Sequence, residues 1–108
     1  MMRVLIRGAG DIATGIALRL YRARFQVVMT DLPKPTAIRR TVCFSQAIVH
    51  GETTVEGIRA VHAPNCAAAE SIMAQGGIPV LADPECVCRT ALRPDGLVDA
   101  ILAKRNLG

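Results

Sequence analysis

The sequence predicts an α/β fold with a mainly parallel sheet, flanking helices and an inserted β-hairpin. Apolar residues make up 51% and charged residues 20% of the 108 residues, which suits one domain with a packed core. Aromatic residues make up only 3%, so the core must be built from small aliphatic side chains, as in buried parallel sheets. A β-branched run also ends at a glycine and leads directly into a helical pattern. Together these features predict a Rossmann-like architecture.

The first thirty-one residues form a predicted β-α-β unit. The run Arg3–Arg7 predicts a strand that ends at Gly8, and the stretch from Gln26 to Asp31 predicts a second strand. Between them lies an amphipathic helix. Its predicted sheet-facing residues are Ile12, Ala13, Ile16, Ala17 and Leu20; its predicted solvent-facing residues are Thr14, Gly15, Arg19 and Arg22, with Leu18 as an exception on that side.

Prolines 33 and 35 end the second strand, and we expect short helices through Arg39-Arg40 and across residues 44–49. β-Branched residues on both sides of Glu56-Gly57 predict a β-hairpin over residues 53–61. Asn65 is expected to cap a helix that runs to Gln75 and ends at Gly76-Gly77. Residues 78–84 predict another buried strand, and for residues 96–102 we favour a strand over the start of a helix.

The loop after the first strand matches the dinucleotide-binding fingerprint G-x-G-x-x-G/A. Its residues are Gly8, Ala9, Gly10, Asp11, Ile12 and Ala13. Gly8 permits a tight turn, Gly10 lets backbone N–H groups approach a pyrophosphate, and Ala13 keeps helix and strand close. The helix N-terminus then offers N–H groups and a partial positive charge to phosphates.

Two carboxylates near the expected phosphate and ribose sites have opposite expected effects. Asp31 ends the second strand, close to the spacing of about 20 residues at which a carboxylate binds the adenosine ribose. It would repel a 2′-phosphate, which favours NAD or FAD over NADP. Asp11 stands beside the phosphate site, where its charge is unfavourable unless the side chain turns outward to cap the helix. The alternative is that the glycines serve only the turn and that Asp31 is an ordinary strand-end residue.

Composition excludes several other classes of protein. The scarcity of aromatic rings argues against single-stranded nucleic-acid binding, and the basic residues behind the net charge of +4 are dispersed. No apolar run reaches the roughly 18 residues of a membrane span, so we expect a soluble, cytoplasmic protein without membrane or nucleic-acid partners. The four cysteines are expected to be free thiols, and no metal site is predicted.

Several chemically capable side chains carry weaker hypotheses. Cys86 and Cys88 could hold a metal or handle sulfur, but two thiols one residue apart do not make a zinc site. We interpret the remaining cysteines and both histidines as structural; these are Cys43, Cys66, His50 and His62.

Charged groups near predicted strand ends are further candidates. Arg39-Arg40 and Lys104-Arg105-Asn106 could contact a ligand or partner, or simply be solvated. Asp83 and Asp99 could act as acid-base groups, although no nucleophile or donor is recognisably paired with either.

The whole chain resembles the N-terminal part of the YqeB-type family of selenium-dependent molybdenum hydroxylase accessory proteins. The resemblance rests on five strings, of which the first and last are the most specific: residues 5–15, Arg39-Arg40, residues 55–57, residues 78–81 and residues 98–106. Members of the family continue well past Gly108, so residues 1–108 are expected to be a nucleotide-binding domain at the front of a longer protein.

The resemblance implies a role in maturing molybdenum hydroxylases, with a domain similar to that of XdhC-type factors, which bind the molybdenum cofactor. The implied partners are a nucleotide and a molybdenum hydroxylase or its maturation factors, and homo-oligomerisation stays open. Only the glycine-loop positions transfer from the family, and no catalytic residue does. Two alternatives remain, namely an NAD-dependent oxidoreductase that lacks its catalytic half and a ligand-free interaction domain.

Overall fold

The computed structural model describes residues 2–31, 44, 46–83 and 87–100. The described elements are β1 (Arg3–Arg7), α1 (Asp11–Arg22), β2 (Gln26–Thr30), α2 (Gln46–His50), β3 (Glu52–Val55), β4 (Ile58–His62), α3 (Cys66–Ala74), β5 (Ile78–Leu81), α4 (Arg89–Leu92) and β6 (Gly96–Asp99). None of the helices within these ranges has the length and apolar character needed to cross a bilayer.

One six-stranded sheet has the order β3-β4-β5-β2-β1-β6. Strands β4, β5, β2, β1 and β6 run parallel, and β3 pairs with β4 in the antiparallel direction. Chain connections leave β1 towards β2 on one side, while β6 returns to the other side of β1. The predicted α/β class with a mainly parallel sheet is therefore confirmed, and so is the opening β-α-β unit.

Helices cover both faces of the sheet. On one face, alternate strand residues such as Ile6, Met29 and Val80 pack with α1, Phe44 and α2. On the other face, Leu5 and Val28 pack with α3 and α4. Because successive strand side chains point to opposite faces, continuous apolar strands supply both cores.

The predicted buried face of α1 is partly wrong. Ala13 and Ala17 are buried as expected, at 2% and 0% exposure, but Ile12 is 37% exposed. Thr14, which was expected to face solvent, is only 4% exposed, and Leu18 is also buried at 6%. The buried stripe is therefore rotated away from Ile12, because Phe44 covers the flank of the helix that carries Thr14.

The predicted hairpin is confirmed and also extends the main sheet. Glu56 and Gly57 have φ values of 51° and 82°, as a two-residue turn with both central residues left-handed requires. Arg59 reaches across the hairpin to Glu52, and this hydrogen bond and charge lower the pKa of Glu52 below its ordinary value. Strand β4 then pairs with β5, so the hairpin supplies one parallel strand and the antiparallel edge.

The second half of the chain has the predicted cap and strands, but the strands are shorter than predicted and one helix was not predicted. The side chain of Asn65 accepts the backbone N–H of Ala68 at 2.8 Å, which confirms it as the cap of α3. Residues 96–99 are a strand as expected, but the strand predicted over 96–102 is wrong at Ala100, which is helical, and residues 101 and 102 lie outside the described ranges. The strand predicted over 78–84 likewise ends at Leu81. Helix α4 was not predicted; it is a single turn whose Leu92 is 1% exposed against α3 and the sheet.

Candidate functional site

The candidate site lies at the carboxyl edge of the sheet, where the chain leaves each parallel strand. Arg7 at the end of β1 is in register with Thr30 at the end of β2 and with Asp99 at the end of β6. The residues that follow these strands therefore meet at one edge, where open α/β sheets bind their ligands. The glycine loop and Asp31 follow neighbouring strands there.

A turn that only glycine adopts readily leads out of β1. Gly8 is buried, with a φ of 116°, and its N–H donates to the Thr30 carbonyl of the adjacent strand. A side chain at this φ would be strained, which accounts for the first glycine of the fingerprint. The following residue, Ala9, is fully buried at 0% exposure.

Gly10 occupies the N-cap position of α1 in an extended conformation. Its carbonyl accepts the N–H of Thr14 at 2.8 Å, and Gly10 itself has no side chain with which to cap this end of the helix. The first-turn N–H groups of a helix have no carbonyl partner within it, so they point towards whatever lies beyond the N-terminus. This geometry suits an anion, as the fingerprint predicts.

The remaining loop positions differ in what they contribute. Asp11 is the first residue of α1, while the cap position belongs to Gly10. The Asp11 carboxylate lies outside the described part of the structure, so the outward turn expected of it stays a prediction. Ile12 is exposed at the helix start, and Ala13 is buried where α1 approaches the sheet.

Asp31 is half-buried directly after β2, and its backbone N–H donates to the Leu81 carbonyl of β5 at 2.9 Å. The hydrogen bonds of Gly8 and Asp31 thus tie the ends of β1, β2 and β5 together. Arg39 and Arg40, the other candidates on this side, lie outside the described residues, as do Lys104, Arg105 and Asn106.

Thr14 is a site residue that sequence reasoning missed. Its hydroxyl donates to the Ala9 carbonyl at 3.3 Å and accepts the Phe44 backbone N–H at 2.9 Å. Helical periodicity placed Thr14 on the solvent-facing side, because it cannot show that the chain returns 30 residues later and places Phe44 against that side. A threonine in the first turn of the helix was the only signal, since its hydroxyl can bond nearby backbone groups.

An ion pair joins the ends of β1 and β6, on the opposite side of β1 from β2 and Asp31. Arg7 Nη1 lies 3.1 Å from Asp99 Oδ2, with the side chains 33% and 32% exposed. Asp99 was an acid-base candidate; here it is paired with the residue that precedes Gly8. Their pairing follows from the register of β1 and β6, which the sequence does not specify.

A second cleft, of about 670 Å³, opens at the ends of β4 and β5 and includes His62, Cys66, Asp83 and Cys88 in its lining. Asp83 accepts the backbone N–H groups of Val87 at 3.1 Å and Cys88 at 2.8 Å. Burial raises the pKa of Asp83, but hydrogen bonds from Cys88 and Val87 outweigh it and lower the pKa below its ordinary value. At neutral pH Asp83 is thus an ionised carboxylate that holds the start of α4.

The sulfur and imidazole groups show no assembled metal site within the described ranges. Cys66 is half-buried and Cys88 is buried, both as free thiols, and His50 is exposed at the end of α2. No group of three or more His, Cys, Asp or Glu side chains there could hold a metal ion. Cys43 and Cys86 fall outside those ranges.

The chain is similar to the Escherichia coli (strain K12) protein named "Uncharacterized protein YqeB", with 55% identity over 105 residues. The match covers 97% of this chain but 19% of that protein, so the chain spans about a fifth of the length of its relative. No family model and no solved structure matched the chain. The similarity supports the YqeB family for these residues and adds no activity.

Proposed function

We propose that this YqeB-related chain binds a dinucleotide, with NAD as the first candidate, at the glycine loop. One observation carries the proposal: Gly8 and Asp31 follow adjacent parallel strands whose ends are joined by the Gly8 N–H to Thr30 carbonyl hydrogen bond. A pyrophosphate at the loop and a ribose at Asp31 would therefore be neighbours, as they are within one dinucleotide.

The loop residues fit the phosphate half of such a ligand. Gly10 has no side chain to block the approach to α1 or to compete for the first-turn N–H groups. These N–H groups and the positive end of the helix dipole would hold the pyrophosphate. Asp31 would accept hydrogen bonds from the hydroxyl groups of an unphosphorylated ribose and repel a 2′-phosphate.

NAD supplies a hydride acceptor when it is bound, whereas the residues of this chain bind and orient it. The same N–H groups would suit the phosphate of a molybdenum cofactor, because they recognise an anion and not a metal. We propose that the bound cofactor serves an accessory role in the maturation of selenium-dependent molybdenum hydroxylases, which the family resemblance implies.

Thermal unfolding with added nucleotides tests the binding proposal. NAD at 100 times its Kd would stabilise the fold by about 2.7 kcal/mol, which is readily measured as a rise in Tm. Gly10→Val should abolish the rise, because its branched side chain blocks the helix N-terminus. Gly15→Ala is the matched control, since Gly15 lies in the same helix with nothing within 4 Å of an added Cβ. No rise with NAD, FAD or cytidine nucleotides would reject the proposal.

Asp31→Asn tests the ribose assignment separately. We expect NAD affinity to fall about tenfold, as the loss of a charged hydrogen bond predicts, and the preference for NAD over NADP to shrink. Isothermal titration with both nucleotides measures the two effects. Equal losses for NAD and NADP would contradict a ribose contact.

The accessory role needs a separate assay in cells that express a molybdenum hydroxylase. Affinity capture with the tagged chain should recover the hydroxylase or a maturation factor, and Gly10→Val should reduce hydroxylase activity. Capture unaffected by Gly10→Val, with no nucleotide bound, would favour a ligand-free interaction domain. Hydride transfer by a protein that contains these residues would favour the oxidoreductase.

A further inference from the structure

We propose that Thr14 is a positioning residue that couples Phe44 to the glycine loop and thereby sets the affinity of the loop for its nucleotide. The proposal rests on the proposed function for its effect on affinity. The coupling itself rests on two hydrogen bonds of one buried hydroxyl.

Thr14 joins two segments that are distant in sequence. Its hydroxyl proton goes to the Ala9 carbonyl in the glycine loop, and its lone pair accepts the Phe44 N–H from the chain just before α2. Ala9 and Phe44 are both 0% exposed, and Thr14 is 4% exposed. Because little water reaches these groups, losing the hydroxyl would leave a buried donor and a buried acceptor unsatisfied.

The contact with Ala9 acts on the peptide that leads into the N-terminus of α1. The Ala9 carbonyl and the Gly10 N–H belong to one planar peptide unit and point in opposite directions. Fixing the carbonyl on Thr14 therefore fixes the direction of the Gly10 N–H at the helix N-terminus. Rotation of this peptide would change the direction of the Gly10 N–H and the backbone that leads into α1, next to the first-turn N–H groups proposed to bind the pyrophosphate.

One hydroxyl at this position serves both neighbours. Valine has nearly the same shape as threonine but neither donates nor accepts, whereas serine keeps both hydrogen bonds and loses a methyl group. Thr14→Val and Thr14→Ser therefore separate the hydrogen bonds from packing. A residue with a purely structural role would change Tm but leave the Kd of the folded protein unchanged.

Amide hydrogen exchange at Phe44 tests the coupling without any ligand. We expect Thr14→Val to accelerate exchange of the Phe44 N–H by about tenfold, because its acceptor is gone, and Thr14→Ser to leave it near the wild-type rate. Unchanged Phe44 exchange in folded Thr14→Val would overturn the coupling. If Thr14→Val does not fold, Thr14→Ala serves instead, because it removes the same hydroxyl with less steric demand.

NAD titration tests the effect on affinity. We expect Thr14→Val to raise the Kd for NAD about tenfold, Thr14→Ser to rescue it, and saturating NAD to slow Phe44 exchange in the wild-type chain, since coupling is reciprocal. An unchanged Kd in Thr14→Val would overturn the positioning role. If the wild type binds neither NAD nor another nucleotide, the proposed function fails, while the exchange experiment still decides the coupling.

Discussion

Replacing Asp83 should destabilise the fold through loss of α4. Its two carboxylate oxygens accept the N–H groups of Val87 and Cys88, so Asp83→Ala removes both hydrogen bonds. Hydrogen bonds to a charged group contribute about 1.5–3 kcal/mol each when buried, and comparable capping bonds contribute about 1 kcal/mol. Since Asp83 is only half-buried, we expect Asp83→Ala to lower the free energy of unfolding by about 2 kcal/mol, which corresponds to a fall in Tm of roughly 8 °C.

The effect of pH separates the contribution of the Asp83 charge from that of the side-chain shape, which Asp83→Asn keeps. The pKa of Asp83 is lowered from its ordinary value of 3.8, so its charge stabilises the fold fully above that value and the contribution disappears as pH falls through the lowered pKa. Asp83→Asn, which can accept only with one atom, should therefore be less stable than the wild type at pH 7. The two proteins should converge in stability below pH 3.8.

Urea unfolding followed by circular dichroism from pH 7 to pH 2.5 measures this difference. Glu56→Gln is the control, because the ion pair between Glu56 and Arg22 is more than half exposed on both sides and should contribute little. A difference between wild type and Asp83→Asn that stays constant across the range, or is absent at pH 7, would refute the reasoning.

Two further predictions concern backbone features. Gly57→Ala should lower the free energy of unfolding by about 1 kcal/mol because Gly57 has a φ of 82°, whereas Gly15→Ala in α1 should raise it by about 0.5–1 kcal/mol. An added Cβ meets nothing within 4 Å at either position, so equal effects in urea unfolding would contradict a backbone origin. Asn65→Ala should lower Tm by roughly 4 °C because the Ala68 N–H loses its acceptor, and Asn65→Asp should keep the wild-type Tm. An unchanged Tm for Asn65→Ala would show that the cap contributes nothing to stability.

Much of the fold could be predicted because local chemistry specifies it. The glycine after β1, the Glu56-Gly57 turn and the Asn65 cap each depend on residues a few positions apart. Helix α4 could not be predicted, since a single turn is too short to show a helical hydrophobic period and is not stable by itself. It exists because Asp83 holds its start and Leu92 is buried against α3.

The candidate site divides in the same way. Sequence alone identified the glycine loop and the acid at the end of β2, because spacing and residue type carry that pattern. It could not order β6 beside β1, pair Arg7 with Asp99, or bring Phe44 onto Thr14. Strand order and the return of a distant segment are decided by how the apolar faces of all elements pack together. The sequence therefore determined the β-α-β unit, and only the tertiary structure decided what surrounds it.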